Sequence, residues 1–413
     1  MRRGIRSRIA GTLAAVIMSS AMGPVFAQTA ATKVDDTRKA GGTVTPSVSI
    51  GPVYDTNIFF TPVAEADVIL RLTAGLAAER TTPRATFASQ YRFDAEQFQD
   101  HPALDSALAR QSGDARAQWR ASSGVTVAVN GGYDRTPVPA ELNLTTGLAE
   151  GRVQSWRAAA GSDVTAHPGK RTTIGTGYAF TRDVITGAGE VNAHRGRIEW
   201  TQQVGAHNDL HLKYLPEFVM FNSILQPDVL WHVVAVGWTH EVTRVTRLTI
   251  EGGPRVGDGE VRPYVLLSFA RNGRTGNGAV TYTRNTTTAL GVRQPIEAQS
   301  VLGTAGYRVP GTIELTVQGG VYRNVIDRQA IDVYRLGGGL IQHLGGKLAI
   351  SATAAYDLQH GRFSGVPSLI VAPVTLITGP KVQRTVFAIA LVVAPTVHPR
   401  SDRPPSTETR RQP

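Results

Sequence analysis

The sequence predicts an all-β protein, a single up-and-down antiparallel transmembrane β-barrel of about 16–18 strands with short periplasmic turns and longer extracellular loops. Three observations lead to this fold. An export signal opens the chain, alternating apolar and polar residues recur along most of its length, and short connections mostly alternate with long ones. The composition agrees, because Gly is abundant at 43 residues and no internal apolar run is long enough for a membrane helix.

Residues 1–27 are expected to be a secretory signal peptide. Four arginines precede an apolar stretch, and Val25-Phe26-Ala27 has the pattern of a cleavage site after Ala27. An uncleaved N-terminal anchor is the alternative. Loss of the four arginines lowers the formal net charge from +11 to +7. This modest charge on a secreted chain argues against nucleic acid as a partner.

The mature chain divides into three parts. Residues 28–42 are expected to be a polar, flexible lead-in, residues 43–395 the barrel, and residues 396–413 a disordered, basic, Pro-rich tail. Within the barrel, period-two alternation gives each strand one apolar face, as where Phe87 and Tyr91 alternate with Gln90 and Arg92. Eighteen such segments are predicted, centred near residues 48, 72, 88, 114, 129, 158, 176, 197, 212, 234, 249, 265, 281, 300, 317, 336, 351 and 389.

The connections favour a closed barrel over other β folds. Short ones, such as 122–124, 167–170 and 272–276, mostly alternate with long ones, such as 53–66 and 135–151. One rim of short turns and one rim of long loops would produce this alternation. So many twisted strands must close, because open edges would stay unpaired. No linker divides the chain as in tandem sandwiches, and no blade repeat of about 40 residues indicates a propeller.

A closed, secreted barrel with one apolar face is expected in the bacterial outer membrane. Lipid would then surround the apolar face, and a wet lumen would receive the polar face. The expected partners are outer-membrane lipid and the machinery that inserts barrels. A soluble secreted β-protein is the alternative.

The stretch "GPVYDTNIFFTP" places three aromatic residues where the first strand ends. We expect an aromatic girdle at the membrane boundary, with polar turn formers between the rings. Aromatic core residues under a loop are the alternative. The motif Tyr54, Asp55, Asn57, Ile58 and Phe59 resembles the opening of a porin-like outer-membrane barrel family that is associated with exopolysaccharide and exosortase (PEP-CTERM) systems. The resemblance implies a location and a fold rather than a substrate.

Two segments near the C-terminus depart from a simple barrel. The predicted last strand, "QRTVFAIALVVAP", has Phe387, Ile389, Leu391 and Val393 on its outer face, but the basic tail follows it. The segment 361–381 is unusually apolar for an extracellular loop. It would either fold into the pore or add a strand.

No motif for catalysis or metal binding is present, so we predict no enzyme activity and no cofactor. His207 and His211 would lie about 13 Å apart along a strand, too far for one metal. A hydrolase site at the barrel rim is the less favoured alternative, because such triads are recognised by geometry.

Charged residues within or beside the strands give the remaining indication of function. Possible lumen charges are Arg92, Arg197, Lys213, Arg284 and Arg323. A positive excess would favour small anionic solutes or an acidic polysaccharide, whereas charges paired with acidic neighbours would have no such preference. The sequence therefore predicts a porin-like channel for small solutes, or a barrel linked to exopolysaccharide export or surface assembly. A non-conducting structural barrel with partner-binding loops is the alternative.

Overall fold

The described part of the protein is a ring of eighteen antiparallel strands. The structure, a computed structural model, describes residues 41–148, 151–187, 189–222, 227–290, 292, 294–309, 313–326, 329–345, 347–361 and 381–394. The strands are β1 Gly41–Asp55, β2 Asp67–Thr81, β3 Ala85–Phe98, β4 Ser106–Ser122, β5 Val125–Thr136, β6 Ser155–Ala166, β7 Thr172–Ile185, β8 Gly189–Gln203, β9 Asn208–Phe221, β10 Val229–Thr243, β11 Thr246–Gly257, β12 Glu260–Asn272, β13 Gly276–Thr287, β14 Ile296–Val309, β15 Ile313–Ile326, β16 Gln329–Gly345, β17 Leu348–His360 and β18 Lys381–Val393.

Each strand pairs antiparallel with the next, and β18 pairs with β1 to close the ring. The predicted closed, up-and-down antiparallel barrel is therefore confirmed. All eighteen predicted centres fall within strands, in order. Full closure leaves no sheet edge and gives the backbone donors and acceptors partners on both sides.

The two rims differ in their connections. One rim, called here the short-turn rim, carries both ends of the barrel segment and the connections 82–84, 123–124, 167–171, 204–207, 244–245, 273–275, 310–312 and 346–347. The other, called here the long-loop rim, carries 56–66, 99–105, 137–154, 186–188, 222–228, 258–259, 288–295, 327–328 and 361–380. The predicted separation of turns and loops holds, although 186–188, 258–259 and 327–328 are as short as turns of the opposite rim.

Alternation along each strand produces an apolar outer face and a polar lumen face. On β2, Val68, Leu70 and Leu72 are exposed large apolar residues on the outer face. Arg71 lies on the opposite face and forms an ion pair with Glu96 of β3. The pattern repeats on β18, where the four residues predicted to point outward are all exposed.

The buried apolar residues form several small clusters rather than one core. Most of these clusters lie near the long-loop rim, where connections fold against the strands. The N-terminal residues 1–40, the segment 362–380 and the tail from 395 onward lie outside the described residues. The expected signal peptide, most of the lead-in, the apolar segment and the basic tail therefore stay predictions.

Candidate functional site: the seam, the lumen and the loop across its mouth

The motif Tyr54–Phe59 lies where β1 meets β18, at the seam that closes the barrel. Tyr54 points outward and is 45% exposed. Asp55 points into the lumen, is 1% exposed, and binds Arg384 of β18 through three hydrogen bonds of 2.6–3.0 Å. Arg384 also lies over the Phe60 ring, 4.9 Å from its centroid. Asp55 and Arg384 thus form a buried ion pair across the seam, called here the clasp.

The rest of the motif folds the chain back over this clasp. The Asn57 backbone N–H donates to Asp55 Oδ1 at 3.0 Å, and the Asn57 side-chain amide donates to the carbonyl oxygens of Thr61 and Gln383. Ile58 is fully buried, in one cluster with Phe98 of β3 and other residues. Phe59 packs partly against that cluster and edge-on against His101, so Tyr54 alone of the five motif residues points outward.

The seam lacks one backbone hydrogen bond near the Asp55–Arg384 ion pair. The Thr56 N–H donates to the Thr385 carbonyl of β18, and N–H directions alternate along a strand. Pro52 therefore occupies a position whose N–H would point to β18, and proline has none. At Gly51 the two backbones approach so closely that a Cβ would overlap the Ile389 carbonyl oxygen. The side-chain hydrogen bonds of Asp55 and Asn57 strengthen the seam beside the hydrogen bond that Pro52 cannot make.

Three of the five predicted lumen charges face the lumen. Arg92 lies 3.9 Å from Asp94, and Arg197 lies 2.7 Å from Asp163. Lys213 is buried and donates to Glu251 at 2.6 Å. Each of these cations thus lies within ion-pair distance of a carboxylate.

The prediction is wrong for Arg284 and Arg323, which lie on the outer face. Arg284 shares the strand parity of the exposed Val280, and Arg323 that of the exposed Val321. Arg284 forms an ion pair with Glu297 at 2.6 Å. Both arginines lie in the last four residues of their strands, near the long-loop rim. There a long side chain can extend away from the apolar middle of the outer face.

The lumen wall carries ion pairs over most of its circumference. From β2 to β11 they join strands that are adjacent or next but one, including Arg71–Glu96, Arg157–Asp183, Arg195–Glu217, Arg197–Asp163 and Lys213–Glu251. Further round the ring lie Arg308–Glu314, Arg335–Asp357 and Arg384–Asp55. The middle of β12 to β14 carries hydroxyl groups on the lumen face, with hydrogen bonds Ser268–Thr281 and Thr283–Ser300. A space bordered by this wall is suited to water.

The connection 137–154 between β5 and β6 folds into the mouth of the barrel. Between 137 and 148, Thr145 alone is exposed, which is unusual because loops normally lie at the surface. Glu141 binds Arg110 of β4 through two hydrogen bonds of 3.1 Å. Asn143 receives the Leu290 N–H and donates to the Leu290 carbonyl, which joins this loop to the connection between β13 and β14.

The same loop reaches the opposite wall of the barrel. Asn324 of β15 donates to the Thr146 carbonyl at 2.7 Å, and Arg335 of β16 donates to the Gly147 carbonyl at 2.8 Å. β15 and β16 lie about halfway round the ring from β5. Gly147 has φ +66°, and a Cβ there would lie 2.9 Å from the Tyr322 ring. Glycine is therefore required where the loop touches the far wall.

A second contact joins two other connections of the long-loop rim. His101 lies 2.8 Å from Asp67 Oδ2 and 3.3 Å from Glu65 Oε2. The hydrogen bond to Asp67, with a further one to Glu65, raises the pKa of the His101 imidazole. Protonation of His101 therefore strengthens this contact between the connections 56–66 and 99–105.

Sequence reasoning missed the clasp partner Arg384 and the loop across the mouth. The stretch "TPVPAELNLTTGL" carries a recognisable signal, because Val138, Leu142, Leu144 and Leu148 are too many apolar side chains for an exposed loop. Nothing near Arg384 in sequence indicates its partner, which is 329 positions away.

Within the part of the chain that the structure describes, no group of three His, Cys, Asp or Glu side chains could hold a metal ion. No helix there is long and apolar enough to span a membrane.

No protein-family model and no curated protein matches the chain. Among solved structures, it is similar to the siderophore receptor PirA from Pseudomonas aeruginosa, with 10% identity, a TM-score of 0.40, and 86% of this chain and 81% of that chain covered. For the ferric enterobactin receptor PfeA the identity is 10% and the TM-score 0.43, with 86% of this chain and 82% of that chain covered. For the anion-selective porin from Comamonas acidovorans the identity is 12% and the TM-score 0.37, with 86% of this chain and 100% of that chain covered.

Proposed function

We propose that the protein spans the bacterial outer membrane and that its lumen is a channel for small hydrophilic solutes. The observation that carries the proposal is the pairing of an apolar outer face with a charged lumen in one closed barrel. Lipid offers no hydrogen bonds to a backbone, and a closed barrel needs none. The polar lumen face, with its ion pairs and hydroxyl groups, is suited to water.

The outer face has the banding that a bilayer requires. On outward-facing strand positions, charged residues occur only within four residues of a strand end, among the described strands. Two outward-facing tryptophans lie near opposite ends of the strands. Trp156 lies beside Val184 of β7, and Trp200 lies beside Ile174 of β7, ten positions away. That separation is about 33 Å along a strand, or about 25 Å along the axis of a barrel with strands tilted by about 40°.

The loop 137–148 lies across the mouth of the barrel, and we infer that the channel is narrowest there. It is held by Arg110 on one side, by Leu290 in the middle and by Asn324 and Arg335 on the far side. Solutes that cross the barrel must pass beside this loop. Its buried apolar residues leave the polar lumen wall as the path for water.

Conductance of the purified barrel in a planar lipid bilayer tests the proposal. We expect discrete current steps from the parent protein. Asn143→Ala removes the bonds to Leu290 and should increase the unit conductance or its fluctuation. Thr145→Ala is the matched control, because Thr145 is the exposed residue of the same loop and should leave the current unchanged.

The near-complete burial of this loop also favours a second candidate function, a non-conducting barrel that serves as a structural or surface-binding element. Folded protein that gives no current, while a variant with residues 140–148 replaced by a short Gly-Ser link conducts, would support that alternative. A connection with exopolysaccharide export stays a prediction of the sequence resemblance.

A further inference from the structure

Exposed basic residues predominate at the short-turn rim, and exposed acidic residues predominate at the long-loop rim. Each rim is defined here as its connections together with the three strand residues on either side of each. At the short-turn rim, nine basic residues and one acidic residue, Glu79, are exposed. At the long-loop rim the balance reverses, with one exposed basic residue, Lys381, and six exposed acidic residues among the described positions: Glu65, Asp100, Asp105, Asp228, Asp258 and Glu260.

The nine basic residues form what we call the basic ring: Arg80, Arg84, Lys170, Arg171, Arg244, Arg247, Arg271, Arg274 and Lys347. They come from five separate turns distributed round the barrel. Two of these turns, 244–245 and 273–275, are adjacent on that rim, because β11 pairs with β12. Two acidic residues at this rim form ion pairs: Glu241 with Arg247, which is itself a member of the basic ring, and the more buried Glu314 with Arg308.

We propose that the basic ring is a docking surface for a flexible polyanion, a chain with repeated carboxylate, sulfate or phosphate groups, at the short-turn side of the barrel. Each exposed cation binds a single anion weakly in water. A chain that spans neighbouring turns makes several such contacts at once, so its affinity grows by multivalency. The acidic long-loop rim would repel the same chain, which makes the docking one-sided. The proposal does not require the lumen to conduct.

Binding to the folded barrel in detergent is the first test. Fluorescein-labelled dextran sulfate is the probe, labelled neutral dextran is the probe control, and fluorescence anisotropy is the readout. We expect binding of dextran sulfate alone. It should weaken strongly between 0.1 M and 1 M salt, as the screening length falls from about 10 Å to about 3 Å.

Two matched double variants locate the site. Arg244→Gln with Arg274→Gln removes two charges of the basic ring and should lower the affinity by about tenfold or more. Arg284→Gln with Arg323→Gln removes two charges from the outer face near the other rim and should change it by less than about twofold. All four positions are at the surface, and retained heat-modifiable mobility on gels confirms that each variant is folded. Equal affinities for the two variants would overturn the proposal.

Reconstitution of the barrel into lipid vesicles shows whether the basic ring binds a polyanion or anionic lipid headgroups. The chain has no cysteine, so Thr275→Cys in a short turn, labelled with a membrane-impermeant reagent, reports which rim faces outward. We expect dextran sulfate to bind vesicles whose short-turn rims face outward, with or without phosphatidylglycerol. If phosphatidylglycerol abolishes the binding, lipid headgroups occupy the ring and the proposal is wrong.

Discussion

Replacement of Arg384 by Met tests the clasp that closes the barrel. The change removes three hydrogen bonds of 2.6–3.0 Å to Asp55 and leaves this carboxylate with the Asn57 N–H as a donor. Both partners are almost fully buried, at 1% for Asp55 and 6% for Arg384. Removal of one partner from a buried ion pair typically costs about 3–5 kcal/mol. We expect a loss of this size in the free energy of unfolding.

Urea unfolding of the barrel in lipid vesicles, followed by tryptophan fluorescence, measures this loss. Arg284→Met is the matched control, because Arg284 pairs with Glu297 at a similar 2.6 Å but in a far more exposed place. Exposed pairs contribute about 0–1 kcal/mol, so the control should change the free energy of unfolding little.

The double variant Asp55→Asn with Arg384→Met removes the uncompensated charge as well as the cation. We expect it to recover part of the lost stability, since replacing both partners of a buried pair is often near neutral. Equal stabilities of Arg384→Met and Arg284→Met would refute the reasoning, because the seam would then not depend on the clasp. The same conclusion would follow if the double variant were no more stable than Arg384→Met.

Three further predictions concern the loops and the outer face. Gly147→Val should destabilise the loop across the mouth by about 1–3 kcal/mol, because of its positive φ and the contact with Tyr322, and protease cleavage within 137–154 should rise. The raised pKa of His101 means that the stability contributed by its charged form beside Asp67 is fully present below about pH 6.5 and is lost as the pH rises through the higher folded value. The protection factors of amides in 56–66, corrected for the intrinsic pH dependence of exchange, should therefore be lower at pH 9 than at pH 5. Val301→Arg, near the middle of β14 on the outer face, should cost about 2–4 kcal/mol in lipid vesicles, and a cost near zero in an unfolding titration would argue against lipid contact there.

The strands could be predicted from the sequence because each carries its own local signal. Period-two alternation gives both the strand and its two faces, and it correctly predicts that Phe387 and Ile389 lie on the outer face. Turn residues such as those in 167–171 mark where strands end. Closure followed from a physical rule, the cost of unpaired edges, rather than from any single residue.

The lumen and the loop could be predicted only in part, because they depend on contacts between distant residues. The parity of Arg284 and Arg323 was available in the sequence, since each lies an even number of positions from an exposed valine. Near a strand end, however, the outer face also carries charge, so charge alone does not identify the lumen. The partners of Asp55 and Asn143 lie 329 and 147 positions away, and no local pattern indicates them.

The most direct test of a closed membrane barrel is the gel mobility of the protein before and after boiling, after extraction from outer membranes. The structure predicts that detergent is needed for extraction and that the unboiled protein migrates at a different position from the boiled one, since a closed barrel resists the gel detergent at room temperature. Protein that is released without detergent and shows no shift would contradict a membrane-spanning barrel.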